Sequence, residues 1–98
     1  MVTTTDSDEE ADAIAESLVR QQLAACVQRT RITSHYMWEG DYEKSDEILI
    51  LIKTRSDKVD AIKRFIEENH SYDTPELIEV PIVSGLAGYL GWMDEVVR

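Results

Sequence analysis

The chain has 98 residues, enough for one compact domain and not for two. Its 20 acidic residues against 10 basic ones give a formal charge of −10, which repels phosphate backbones and argues against nucleic acid as a partner. Hydrophobic residues make up 43% and are spread evenly, against disorder, and no unbroken apolar run exceeds the length of Ile48–Ile52, far too short to span a bilayer. The opening MVTTTDSDEE has neither a basic nor an apolar stretch, so no signal or transit peptide is expected. The charge makes the chain self-repelling, and salt screens that repulsion, which suits a salt-rich cytoplasm. The lone cysteine, Cys26, precludes an internal disulfide and suits a reducing, cytoplasmic location.

In chain order, Met1–Thr5 is β-branched and reads as a strand. Asp6 or Ser7 caps a helix, and Ser7 with Glu10 fits a capping box. Asp8, Glu9 and Glu10 favour the positive end of the helix dipole. Ala11, Ile14, Ala15, Leu18 and Gln22 follow helical spacing, with an end expected near Ala24 or Ala25. Cys26–Trp38 reads as one long strand, with Ile32, Ser34, Tyr36 and Trp38 on one face and Thr33, His35 and Met37 on the other. Glu39–Glu47 is polar and holds Gly40–Asp41, a turn or bulge signal. Ile48–Ile52 is solidly apolar, the pattern of a central strand buried on both faces.

Ser56 or Asp57 caps a second helix, whose stripe is Val59, Ile62, Phe65, Ile66 and Asn69. Asn69 tolerates the left-handed conformation and ends it. Leu77–Val83 reads as a strand with Ile78, Val80 and Ile82 facing the core, and Pro81 makes it an edge. Leu86, Tyr89, Leu90, Met93 and Val97 mark a closing helix that Gly85, Gly88 and Gly91 weaken. The expected class is α+β: a ferredoxin-like βαββαβ sandwich with an extra C-terminal helix. Strands one and three are central in that fold. The apolar run falls in strand three and the proline in strand four, so two independent features agree with the topology.

Few chemistries fit. The loop Asp6-Ser7-Asp8-Glu9 lacks the glycines and cations of a phosphate cradle, and acylphosphatase-type chemistry would need an Arg there. RNA-binding relatives of the fold stack bases on central-strand aromatics, and Ile48–Ile52 has none. Cys26 with His35 or His70 could form a nucleophile–base pair, but no base is placed by spacing, and a small buried hydrophobe is the simpler reading of Cys26. No residue is assigned a catalytic role. One Cys and two His, none at ligand spacing, make no metal site within a chain; a site shared between subunits escapes that test, and Cys with His would suit copper or zinc better than magnesium. Tyr36, Trp38 and Tyr42 around the hairpin, with Tyr72, Tyr89 and Trp92 later, fit an interface or ordinary core packing equally. The stretch ENHSYDTPELIEV, Glu68–Val80, reads as a stiff connection.

Five blocks, LVRQQLAACV (Leu18–Val27), YMWEG (Tyr36–Gly40), ILILIKTR (Ile48–Arg55), HSYDTPELIEVPI (His70–Ile82) and YLGW (Tyr89–Trp92), resemble the CutA divalent-cation-tolerance family in order and spacing. The resemblance implies a homotrimer of ferredoxin-like subunits, similar in assembly to PII-type signalling proteins, with hairpin arms pairing across subunits. It implies a non-enzymatic role in tolerance of copper or another divalent metal, with a metal ion or small-molecule ligand and no membrane or nucleic-acid partner. By position, Tyr36, Trp38, Glu39, Lys53, Tyr72 and Glu76 would line a cleft between subunits, with Cys26 and His70 as metal-ligand candidates. The alternative is a scaffold or signal relay binding a metabolite or partner protein, its metal role indirect. Ser71 stands where the family usually has Pro, which is expected to loosen the loop, and Gln28 where Asn is common.

Overall fold

Two thirteen-residue strands set the shape of the molecule. The computed structural model describes residues 1–98. Its elements are β1 (Val2–Thr5), α1 (Asp8–Arg20), β2 (Cys26–Trp38), β3 (Asp41–Lys53), α2 (Val59–Asn69, after a 3₁₀ turn over Ser56–Lys58), β4 (Leu77–Ile78) and α3 (Ala87–Val96). The sheet is antiparallel with order β2-β3-β1-β4. Strands one and three are central and the other two are edges, as the βαββαβ arrangement predicts, although Pro81 falls beyond the end of β4.

From Ile48 onward, every second residue of β3 points at the helices. Ile48, Ile50 and Ile52 are buried there with Ala11, Ile14 and Leu18 of α1 and Val59, Ile62 and Ile66 of α2. Each fully buried Ile or Leu contributes about 1.5–3 kcal/mol by leaving water. The opposite face is bare: Leu51 is 40% exposed while its neighbour Ile50 is fully buried. Burial of strand three on both faces is therefore not met within one chain, because both sheet-packing helices lie on the same side.

β1 reaches only as far as Ile48 of β3. From Glu47 to Asp41, β3 pairs with β2 alone, so the hairpin runs on as a two-stranded arm and stretches the chain to 45 Å. Its loop is Glu39–Gly40, with φ of 52° and 85°. Both are positive, as a two-residue type I′ turn demands, and Gly40 meets the demand without steric cost.

Strand four departs from expectation. It spans Leu77–Ile78, and Ile78, Val80 and Ile82 are all exposed instead of facing the core. The register pairs Leu77 with Thr3 on the helix side and Ile78 with Val2 on the bare side, so the alternation was read one residue out of phase. Beyond Ile78 the chain has run past the start of β1 and has nothing left to pair with.

Helix ends also differ. Ser7 Oγ accepts from Glu10 N–H at 3.1 Å, as the cap predicts, but the Glu10 carboxylate does not return to the cap. α1 stops at Arg20, short of Ala24. Gln22 takes φ 61°, its N–H bonds Val19 C=O, and Leu23 N–H bonds Leu18 C=O, a Schellman closure built without glycine. Neither Ser56 nor Asp57 caps α2; the Asp57 carboxylate is held by Arg55 at 3.0 Å. α2 ends with His70 in an extended conformation rather than with a left-handed Asn69. α3 packs Met93 and Val97 on Ala25, with Leu90 and Val96 alongside, and leaves Leu86 in solvent.

Candidate functional site

The connection after α2 is held at several points. The side chain of His70 is fully buried. Its Nε2 lies 2.7 Å from the Thr4 carbonyl, which can only accept, so Nε2 carries the proton. Its Nδ1 accepts the Tyr72 backbone N–H at 3.0 Å. Those two bonds require the neutral ring and occupy both nitrogens. His70 thus ties α2 and the following loop to β1.

Ser71 does not loosen that loop. Its N–H donates to Glu10 Oε1 at 2.8 Å and its hydroxyl to Oε2 at 3.0 Å, two bonds that a proline could not make. Thr5 Oγ1 also donates to Oε2. Burial pushes the Glu10 carboxyl up, but the hydrogen bonds from Thr5 and Ser71 outweigh it and hold the group below its ordinary value of 4.5.

Tyr72 follows and turns to the bare face. Its hydroxyl donates to Glu47 Oε2 at 2.8 Å. Burial, the bond to Glu47 and nearby carboxylates raise its phenol well above the ordinary value, so it stays a donor. Together the loop and the arm enclose an open cleft of about 660 Å³, within the range of small-molecule sites. Tyr36 and Trp38 of β2, Glu47 of β3, and Tyr72, Asp73 and Glu76 of the loop line it. Tyr36 and Trp38 are 43% and 50% exposed, and Tyr36 Oη sits 3.2 Å from Ser45 Oγ.

Four of the six expected cleft residues, Tyr36, Trp38, Tyr72 and Glu76, therefore come together. Glu39 sits in the turn at the arm's tip. Lys53 lies at the far end of β3, its Nζ 3.4 Å from Tyr89 Oη and 5.4 Å from the centre of that ring. It borders a second groove of about 560 Å³ with Leu51, Val80, Ile82, Tyr89 and Leu90. Cys26 is half-buried and pairs with Lys53 on the bare face, whereas Thr4, the partner of His70, pairs with Leu49. Four residues of β3 separate them, about 13 Å along the strand direction alone.

Cys26 and His70 consequently do not form a metal site within one chain. The nitrogens of His70 are engaged, and no three His, Cys, Asp or Glu side chains converge anywhere in it. Glu47, Asp6 and Asp73 are cleft residues that sequence reasoning missed. Glu47 carried a readable signal, since it shares a face with Leu49 and Leu51 directly before the apolar run. Asp6 and Asp73 carried none.

The structure is a two-layer α+β domain with one sheet face uncovered and a cleft upon it. The chain belongs to the CutA1 divalent ion tolerance protein family, whose model matches residues 1–96. It is 42% identical over 95 residues to the divalent-cation tolerance protein CutA of Archaeoglobus fulgidus, covering 97% of this chain and 93% of that one. The corresponding protein of Thermus thermophilus is 38% identical over 94% of this chain and 90% of its own. Some relatives are longer: the chain spans 63% of the Xenopus laevis CutA homolog and 54% of a chloroplastic CutA 1 of Oryza sativa. The solved Archaeoglobus fulgidus structure, described as periplasmic, superposes with a TM-score of 0.96 at 40% identity over 99% of this chain and 95% of that one. CutA1 of Oryza sativa gives 0.95 at 38%, over 99% and 90%. No helix is long and apolar enough to cross a membrane.

Proposed function

We propose that this chain acts as a cytoplasmic homotrimer in divalent-ion homeostasis, without catalysis, and that neighbouring copies complete the cleft around Tyr36, Trp38, Tyr72 and Glu76. The bare sheet face carries the reading. Leu51, Ile78, Val80, Ile82, Tyr89 and Trp92 are exposed on one chain, and a two-stranded arm is marginal in water without support. Copies packed on that face would cover both, and three is the number that the family resemblance implies.

A divalent ion would take ligands from more than one copy. The half-buried thiol of Cys26 on the bare face favours a soft, copper-like ion. Supporting the other reading, a relay whose cleft takes a metabolite, is the engagement of both His70 nitrogens, which leaves that side chain no lone pair for a metal.

Light scattering combined with calorimetric titration of copper and zinc tests this. The expected result is three times the mass of one chain and saturable binding at a whole number of ions per trimer, weakened in Cys26→Ala. A single-chain mass at all salt concentrations would refute the assembly. A trimer that binds no ion specifically would move the assignment to the metabolite relay.

A further inference from the structure

We propose that the cleft takes an aliphatic polyamine, a flexible organic cation carrying several ammonium groups. The inference rests on the reading of this cleft as a binding site and specifies its ligand.

The lining includes four carboxylates, Asp6, Glu47, Asp73 and Glu76, with His35 but no Lys or Arg; Arg31 borders Asp6 and Glu47 only from an adjoining groove, where it pairs with Asp8. None of the four is in an ion pair, although Asp8, Asp12, Glu16 and Asp57 elsewhere each have an arginine partner. Glu47 is the most constrained. It is 9% exposed, one carboxylate oxygen accepts from Tyr72, and the other has no protein partner. A largely desolvated carboxylate with an open oxygen favours a cation that can donate to it. The rings of Tyr36, Trp38 and Tyr72 line the same cleft, with Trp38 towards the tip of the arm and away from Glu47. Aromatic faces attract ammonium groups, and their apolar area packs on methylenes.

The spacing of the acids separates this ligand from a bare metal ion. A divalent metal needs several oxygens within one coordination sphere. Here no three acidic, His or Cys groups converge. Carboxylates spread over the walls of a cavity of about 660 Å³ suit charges spread along a chain instead. Tyr72, fixed by burial and by Glu47, is a hydrogen-bond donor that keeps the acid aimed at the cleft.

Spermidine is the probe, titrated into the full chain by calorimetry in near-physiological salt with excess magnesium, alongside quenching of Trp38 fluorescence. Saturable binding is expected, weakened about tenfold or more by Glu47→Gln and by Trp38→Leu. Trp38 lies on the exposed arm, so its variant tests the cleft even if the Glu47 variant folds poorly. Glu68→Gln, on the exposed face of α2, removes the same charge and should leave affinity unchanged. Equal weakening in all three variants would reduce the effect to attraction by the net charge and overturn the proposal. No spermidine binding by a protein that still trimerises and binds copper or zinc would overturn it while sparing the reading beneath it. A single-chain mass with no divalent-ion binding would strike that reading instead, whatever spermidine does.

Discussion

Glu10→Gln is expected to destabilise the fold at neutral pH by about 1.5–3 kcal/mol, the range for hydrogen bonds to a charged group. Three donors converge on this carboxylate, from Thr5 and twice from Ser71. An amide offers them one acceptor oxygen and turns its own donor towards the rest. The folded carboxyl titrates below its ordinary value of 4.5, so its contribution is complete above that value and is lost as pH falls through the lower, folded one. Urea titrations of both proteins at a series of pH values would show this. The gap between them should close on acidification below 4.5; a gap independent of pH would mean that geometry, not charge, holds the loop.

The neighbouring pair Ile50 and Leu51 gives the second large effect. Ile50→Ala should cost about 2–5 kcal/mol, because a fully buried Ile leaves a cavity between β3 and the helices. That is a large share of the roughly 5–15 kcal/mol that holds a domain together. Leu51 points the other way and is part-exposed. Leu51→Glu should spare the single fold and, if copies pack on this face as proposed, shift mass from the proposed trimer to separate chains. Thermal unfolding over a range of protein concentrations, with light scattering, distinguishes the two. A Leu51→Glu protein that stays trimeric would show that copies do not pack on this face.

These effects trace how far the sequence could be read. β2 was legible from end to end because thirteen residues run without a glycine or proline. The sheet order followed from the βαββαβ succession of elements, with which the apolar run agreed, whereas Pro81 lies beyond the end of β4. The end of α1 was not legible, since its left-handed closing residue is Gln22 and propensity points to glycine there. The faces of β4 were not legible either. Ile78, Val80 and Ile82 have the spacing of one strand face, but the strand ends at Ile78, and only its pairing partner says which face is inside. Four cleft residues were reached through the family resemblance. Glu10 was read as part of a local cap, when its partner Ser71 lies 61 residues away, beyond any local pattern.

The position of β1 has a consequence for how the molecule comes together. Hairpin pairing of β2 with β3 closes a two-residue loop, whereas Val2 must find Leu51 and Ile78 across most of the chain. Loop-closure entropy and contact order put the hairpin early and the central strand late. The strand earliest in the domain would then be the last to dock. Pulse-labelled hydrogen exchange during refolding would read that order directly: amides between β2 and β3 should gain protection before those of Thr3 to Thr5, and simultaneous protection would mean that the sheet condenses as one unit.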